Sequence, residues 1–482
     1  MPEYLTIVDG EQRPATDGRV FETLDPATGK AHATVARGGP ADIDAAVRAA
    51  RAASPAWKAV PAAERGRLLR RVADAITADA ERLARLESLD TGKPLSQARA
   101  DVGVAARYFE FYAGAADKLH GDTIPVSSDV LAFTVREPHG VTGHIVPWNY
   151  PIQIGSRTIA PALAAGNCAI LKPAEETPCT AVELGRLALG AGLPPGVLNV
   201  VPGFGEEAGA ALTAHRGVDH LSFTGSPEVG RLVMHAAADR LVPVGLELGG
   251  KSPHLVLPGA DLDAAVPVIV RSIVQNAGQT CSAGSRVIVH AELEDELIER
   301  LRTAFAAVTI GPGLDDPDLG PLVSSAQRER VLGYIRRGRD EGATLVCGGQ
   351  VPAGRDVGEF VEPTLFAGVR PDQAIAREEI FGPVLSVLRT VSVVEAVELA
   401  NGTDFGLVAA VWTRDLDTAL WAAARIEAGQ VFVNTYGAGG GVELPFGGRK
   451  ESGFGREKGF EALLAFTAVK TVAVRVAGPT GP

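Results

Sequence analysis

Between Arg65 and Leu89, the apolar residues Leu69, Val72, Ile76, Leu83 and Leu86 recur at steps of three and four or their multiples, which puts them on one stripe of a helix. Asp90-Thr91-Gly92-Lys93-Pro94 stops that pattern, and it predicts a mostly helical first third. From about residue 140 the rhythm changes. Short apolar runs at His144–Val146, Cys168–Leu171, Val197–Val201, Leu221–Phe223, Val242–Leu246 and His254–Leu257 read as strands. Helix-like segments around Ser156–Ala165, Thr180–Ala191, Glu206–Ala214 and Glu228–Ala238 separate most of them. Such alternation predicts a parallel sheet covered on both faces, which binds ligands at the carboxyl ends of its strands. A second alternating block, from near Leu262 to about Asn434, is long enough for a second α/β domain.

Two segments break the rhythm. Gly121–Val141 carries β-rich runs on either side of Ser127-Ser128-Asp129 and predicts a hairpin. Thr467–Val476 alternates at period two with no partner strand nearby in sequence. An unpaired edge invites pairing with another chain, so the sequence predicts a homodimer or homotetramer.

Composition narrows the class. With 482 residues, 22% charged and 46% hydrophobic, the chain resembles an ordinary globular protein of two or three domains. A net charge of −12 argues against nucleic acid or an anionic membrane as partner. No stretch approaches the ~18 apolar residues of a membrane span, and the first residues lack a basic-then-apolar signal peptide. Four cysteines form neither a disulfide framework nor a CxxC metal pair, which fits a reducing, cytoplasmic setting and no metal.

Candidate chemistry gathers in seven places. Asn276-Ala277-Gly278-Gln279-Thr280-Cys281-Ser282 presents a cysteine in a Gly-rich polar loop, whereas Cys168, Cys179 and Cys347 fit buried or inert positions better. Leu246-Glu247-Leu248-Gly249-Gly250-Lys251 ends a strand on a carboxylate, either a general base or a solvated surface acid. Val146-Pro147-Trp148-Asn149-Tyr150-Pro151 offers an amide that suits an oxyanion, or merely a rigid turn. Phe223-Thr224-Gly225-Ser226-Pro227 leads from a strand to a helix start, where free amides hold phosphate, although the spacing is not GxGxxG. Lys172-Pro173-Ala174-Glu175 adds a cation and an acid suited to a ribose. Glu379-Ile380-Phe381-Gly382-Pro383 and Pro445-Phe446-Gly447-Gly448 are shaped loops with an aromatic near charges. From the residues alone, a cysteine-dependent ester or thioester hydrolase and a non-catalytic protein of the same fold stay open beside an oxidoreductase.

Taken together, these ordered motifs resemble the NAD(P)-dependent aldehyde dehydrogenase superfamily, from about Ile7 to Val476. The resemblance implies a Rossmann-like cofactor domain (1–119 and 140–248), a catalytic α/β domain (249–449) and an oligomerisation element (120–139 and 450–482). It implies that Cys281 attacks the aldehyde, that Asn149 holds the oxyanion and that Glu247 activates water. Trp148, Gly225 and Ser226 map to the pyrophosphate, Lys172 and Glu175 to the adenosine ribose, and Glu379 and Phe381 to the nicotinamide ribose. A carboxylate at Glu175 favours a ribose diol over a 2′-phosphate, and hence NAD over NADP. Tyr150, Arg157 and Tyr436 map to the substrate tunnel, with Gly437–Gly441 at its mouth. An arginine at 157 leans toward a polar or carboxylate-bearing semialdehyde, or an aromatic aldehyde, although Gln275 and Gly441 do not match the succinate type. Glu457 falls where some members place a proton-relay acid, but Thr158 stands where they have a lysine.

Overall fold

The alternating block after residue 140 builds the five-stranded parallel centre of a sheet of eight strands. In the computed structural model, which describes residues 1–437 and 441–476, their order is Gly453–Phe454, Val244–Glu247, His220–Thr224, Val141–Val146, Cys168–Pro173, Leu198–Val200, Thr6–Val8 and Glu11–Arg13. The five from Val244–Glu247 to Leu198–Val200 run parallel, as their continuous apolar character predicts. The N-terminal hairpin and Gly453–Phe454 close the two edges in antiparallel fashion. Helix Pro151–Ala165, which starts on Pro151 and ends at left-handed Gly166, is buried over almost its whole length against Leu95–Ala115 and Cys168–Pro173.

Pro253–Val256 opens a second sheet, with the order Thr344–Cys347, Thr364–Ala367, Val384–Thr390, Arg286–His290, Pro253–Val256, Val408–Trp412 and Gln430–Val433. All its pairings are parallel except the first. The buried apolar residues accordingly fall into two large bodies, one centred on each sheet, and Ala462, Leu463 and Phe466 belong to the first.

Three expectations need correction. The first third is not mainly helical from its start, because residues 3–36 hold five strands before helix Pro40–Ala59. The stripe at Arg65–Leu89 lies on two helices, Ala62–Ala78 and Ala80–Thr91, broken at Asp79. Leu69, Val72, Ile76 and Leu83 are nevertheless all fully buried, so one stripe faces the core across the break. Lastly, the C-terminal strand has a partner in its own chain. Thr467–Arg475 pairs antiparallel along the full length of Val130–Pro138, which forms the expected hairpin with Thr123–Ser127. Its partner lies more than 300 residues upstream, out of reach of local periodicity. Among the described residues no helix is long and apolar enough to cross a membrane.

Candidate active site

The cysteine loop is held in an unusual path. Asn276, Ala277 and Gly278 take φ values of 49°, 54° and 72° in succession. For the two non-glycine residues this left-handed conformation costs about 1–3 kcal/mol each. At Gly278 a Cβ would lie 2.2 Å from the Gly382 carbonyl oxygen, so only glycine fits. Side chains hold the rest in place. Asn276 Nδ2 donates to the Asn149 carbonyl (2.9 Å), Gln279 Nε2 donates to the Asn276 carbonyl (3.0 Å), and the Val323 amide donates to Gln279 Oε1 (2.9 Å). Behind the loop, the Tyr150 hydroxyl bonds Thr280 Oγ1 (2.8 Å) and accepts from Gln275 Nε2 (3.0 Å).

Cys281, partly exposed, lines a cleft of about 620 Å³ together with Asn149 and Glu247. Burial pushes its thiol up to about 12; Arg157 pulls it down, and Glu379 and Glu247 push it further up. Asn149 Nδ2 donates one hydrogen bond, to the Gln279 carbonyl (2.9 Å), which leaves its second N–H for a ligand. Glu247 ends strand Val244–Glu247 with both carboxylate oxygens buried and unpartnered. Desolvation, and next the charge of Glu457, hold its proton affinity well above the usual carboxylate range.

Along the same cleft run Trp148, Gly225, Ser226, Glu379 and Phe381. Ser226 caps helix Pro227–Ala238 by accepting from the Val229 amide (3.3 Å). A Cβ at Gly225 would lie 2.5 Å from the Phe223 ring, and one at Gly249 would lie 2.5 Å from Glu379 Oε2, so a substituted backbone would not fit there. Glu379 accepts from the Gly250 amide (2.7 Å), and burial raises its carboxyl to about 7. Lys172 and Glu175 lie outside the cleft wall, at the end of the neighbouring strand Cys168–Pro173, paired to each other at 3.0 Å. A cleft lined by a helix start, buried acids and a thiol fits a dinucleotide.

The residues expected on the substrate side are held by their own partners. Tyr150 is 7% exposed and its hydroxyl is spent on the loop, so it does not line the cleft. Arg157 is buried and ion-paired with Glu457, and its charge acts on both Cys281 and Glu247. Thr158 bonds His144 Nδ1 (2.7 Å) and Ser222 Oγ (2.9 Å). Tyr436 donates to the Ser282 carbonyl, next to Cys281. Gly437 and Gly441 are described, whereas residues 438–440 of the expected tunnel mouth lie outside the described residues.

Lys93 carried no functional signal in the sequence beyond its place in a helix stop. It is fully buried, paired with Asp101 (2.6 Å) and Glu87 (3.3 Å), and its ammonium lies 4.2 Å from the Tyr150 ring centroid. The Gln97 side chain accepts from the Asn276 amide (2.8 Å). Gln97 thus braces the cysteine loop directly from helix Leu95–Ala115, and Lys93, in the turn before that helix, supports it through Tyr150. Elsewhere, His32, Asp90 and Cys179 come together, but Asp90 is occupied by Thr23, His32 and the Cys179 amide.

The chain matches a family model described as "Aldehyde dehydrogenase family" over residues 13–472. It is 45% identical over 473 residues to the hydroxyisobutyraldehyde dehydrogenase of Mycolicibacterium austroafricanum, covering 98% of this chain and 94% of the relative. Among solved structures, an NAD-dependent aldehyde dehydrogenase from Sinorhizobium meliloti superposes with a TM-score of 0.97 at 42% identity, over 99% of this chain and 96% of that one. An NAD+ complex of an aldehyde dehydrogenase from Bacillus cereus does so with a TM-score of 0.97 at 43% identity, over 98% and 97%.

Proposed function

The chain belongs to the aldehyde dehydrogenase family and oxidises aldehydes to carboxylic acids with NAD, and we propose how its own residues divide that work. Cys281 is the nucleophile, and its sulfur forms a bond to the aldehyde carbon. The developing oxyanion is held by Asn149 Nδ2 and the Cys281 amide; one such donor is worth about 3–4 kcal/mol. Bound in the cleft, NAD supplies the acceptor for the hydride that leaves the substrate carbon. Glu247 then takes a proton from water, whose oxygen attacks the resulting thioester; the C–S bond breaks and Cys281 is released. The observation that carries this reading is one cleft lined by Cys281, Asn149 and Glu247 together with Ser226, Trp148 and Glu379. A simple cysteine hydrolase would leave the last three without a purpose.

The finer assignments rest on the family resemblance, supported for Trp148, Gly225, Ser226, Glu379 and Phe381 by their position along the cleft. Trp148, Gly225 and Ser226 would hold the pyrophosphate and Glu379 and Phe381 the nicotinamide ribose. Lys172 and Glu175 would hold the adenosine ribose, which favours NAD over NADP. Tyr436, bonded beside Cys281, would flank the substrate. For the substrate we favour neutral aldehydes, because the guanidinium that suggested a carboxylate-bearing one is already paired. Residues 123–138 and 467–475 would carry a homodimer or homotetramer contact, since Ile124, Val126, Leu131, Val469 and Val474 are exposed on that small sheet. Four free cysteines suit the cytoplasm. A panel of neutral, hydroxylated, aromatic and carboxylate-bearing aldehydes with NAD, followed by NADH absorbance, tests the function; NADH from none of them would refute it.

A further inference from the structure

Arg157 lies on the buried helix Pro151–Ala165 and is itself 5% exposed. Its Nε is in ion-pair contact with Glu457 Oε2, and its Cζ lies 5.2 Å from the centroid of the Phe446 ring. The other Glu457 oxygen is 3.4 Å from Ser222 Oγ. Two short pairings bring this segment to the base: Gly453 is registered opposite Glu247, and Glu457 opposite Phe446. Two buried carboxylates thus share one region, Glu457 touching a guanidinium and Glu247 with both oxygens unpartnered.

We propose that Arg157 is a positioning residue for the hydrolytic half of the reaction: it holds the Glu457 side chain in place beside Glu247, and the pair together sets how strongly Glu247 binds a proton. This rests on the assignment of Glu247 as the general base. Two carboxylates in one buried site do not both ionise without compensation, and Arg157 supplies it. The negative charge of Glu457 raises the proton affinity of Glu247, whereas Arg157, Arg456 and Lys458 lower it. Cys281 completes the set around the base, and Tyr108 and Tyr112 face Glu457 from helix Leu95–Ala115. His144, at the end of the Thr158–Ser222 hydrogen-bond chain, is neutral because burial lowers it to about 3. A guanidinium engaged in this way does not clamp a substrate carboxylate.

The test is kcat against pH for wild type, R157Q, R157K, E457Q and the R157Q/E457Q double variant, with one neutral and one carboxylate-bearing aldehyde. The NADH burst is recorded alongside, to show that hydrolysis limits turnover. Loss of the neighbouring anion in E457Q is expected to move the acid limb down by about one pH unit, and loss of the cation in R157Q to move it up by about as much. R157K should stay near wild type. The double variant removes the Arg157–Glu457 pair as a whole, so neither partner is left buried alone, and its limb should lie above that of E457Q. KM for both aldehydes should stay within about twofold of wild type in R157Q. An acid limb unmoved in E457Q, or identical in E457Q and the double variant, overturns the proposal. So does an R157Q enzyme whose KM rises only for the carboxylate-bearing aldehyde. A wild type that makes no NADH from any aldehyde instead overturns the function reading.

Discussion

Trp148 and Phe381 meet edge to face, their ring centroids 5.2 Å apart and their planes at 90°. Trp148 follows a strand of the first sheet; Phe381, at φ 60°, precedes a strand of the second. Both line the cleft, so the contact ties its two walls together. Aromatic pairs of this geometry contribute about 0.5–1.5 kcal/mol beyond their buried area. Phe381→Ala should therefore raise the Kd for NAD about three- to tenfold, measured by quenching of tryptophan fluorescence. An unchanged Kd would remove Phe381 from the cofactor site.

The division of labour between Cys281 and Glu247 predicts different failures. Glu247→Gln should keep a burst of NADH close to one per active site while its steady-state rate falls about 10²–10⁴-fold, the usual range for loss of a general base. Cys281→Ala should lose both the burst and the turnover. Rapid-mixing absorbance separates the two phases, and a Cys281→Ala enzyme with normal turnover contradicts the covalent route.

Burial that lifts the Cys281 thiol to about 12 leaves little thiolate at neutral pH in the free enzyme. Its alkylation by iodoacetamide should rise about tenfold per pH unit between pH 7 and 9, with no plateau, because the thiolate is the reacting species. A plateau below pH 8 in single-site labelling would show a thiol already activated without ligand.

Glu175 is ion-paired with Lys172 and about a quarter exposed at its side chain. Two unit charges ~4 Å apart at an effective dielectric of ~20 interact by about 4 kcal/mol before relaxation and salt reduce it. Glu175→Gln is expected to raise kcat/KM for NADP by about tenfold or more while that for NAD falls. A wild-type kcat/KM for NADP equal to that for NAD refutes the preference.

Lys93 sits between Glu87 and Asp101, and the Tyr150 ring that it touches is bonded to the residue before the nucleophile. Lys93→Met leaves two buried carboxylates without their cation, a loss of about 3–5 kcal/mol. A clearly lower thermal midpoint is expected, together with a smaller burst from a loosened loop; Lys93→Met with Glu87→Gln and Asp101→Asn should regain part of the stability. A midpoint unchanged in the single variant would show the cluster to be energetically idle.

Much of this architecture was legible locally. The strand runs at 144, 168, 197, 221 and 242 all became neighbours in one sheet, because an apolar run bounded by polar turns has few other ways to bury both faces. Cys281, Asn149 and Glu247 stood out as polar groups at strand ends and in a Gly-rich loop, which is where a parallel sheet opens. What stayed hidden depends on partners far along the chain. Arg157 reads as a free cation until Glu457, 300 residues later, is laid against it. Tyr150 reads as a tunnel aromatic until Thr280 claims its hydroxyl. The break at Asp79 was masked because the buried stripe keeps its phase on both sides.

The strand that ends on Glu247 takes its outer neighbour from Gly453–Phe454. Translation delivers that neighbour only after some two hundred further residues have left the ribosome. Until then the edge carrying the base stays open. A product halted by a stop codon after residue 282 but before residue 453 would therefore keep the Cys281 loop yet present a raw sheet margin to the cell's chaperones and proteases.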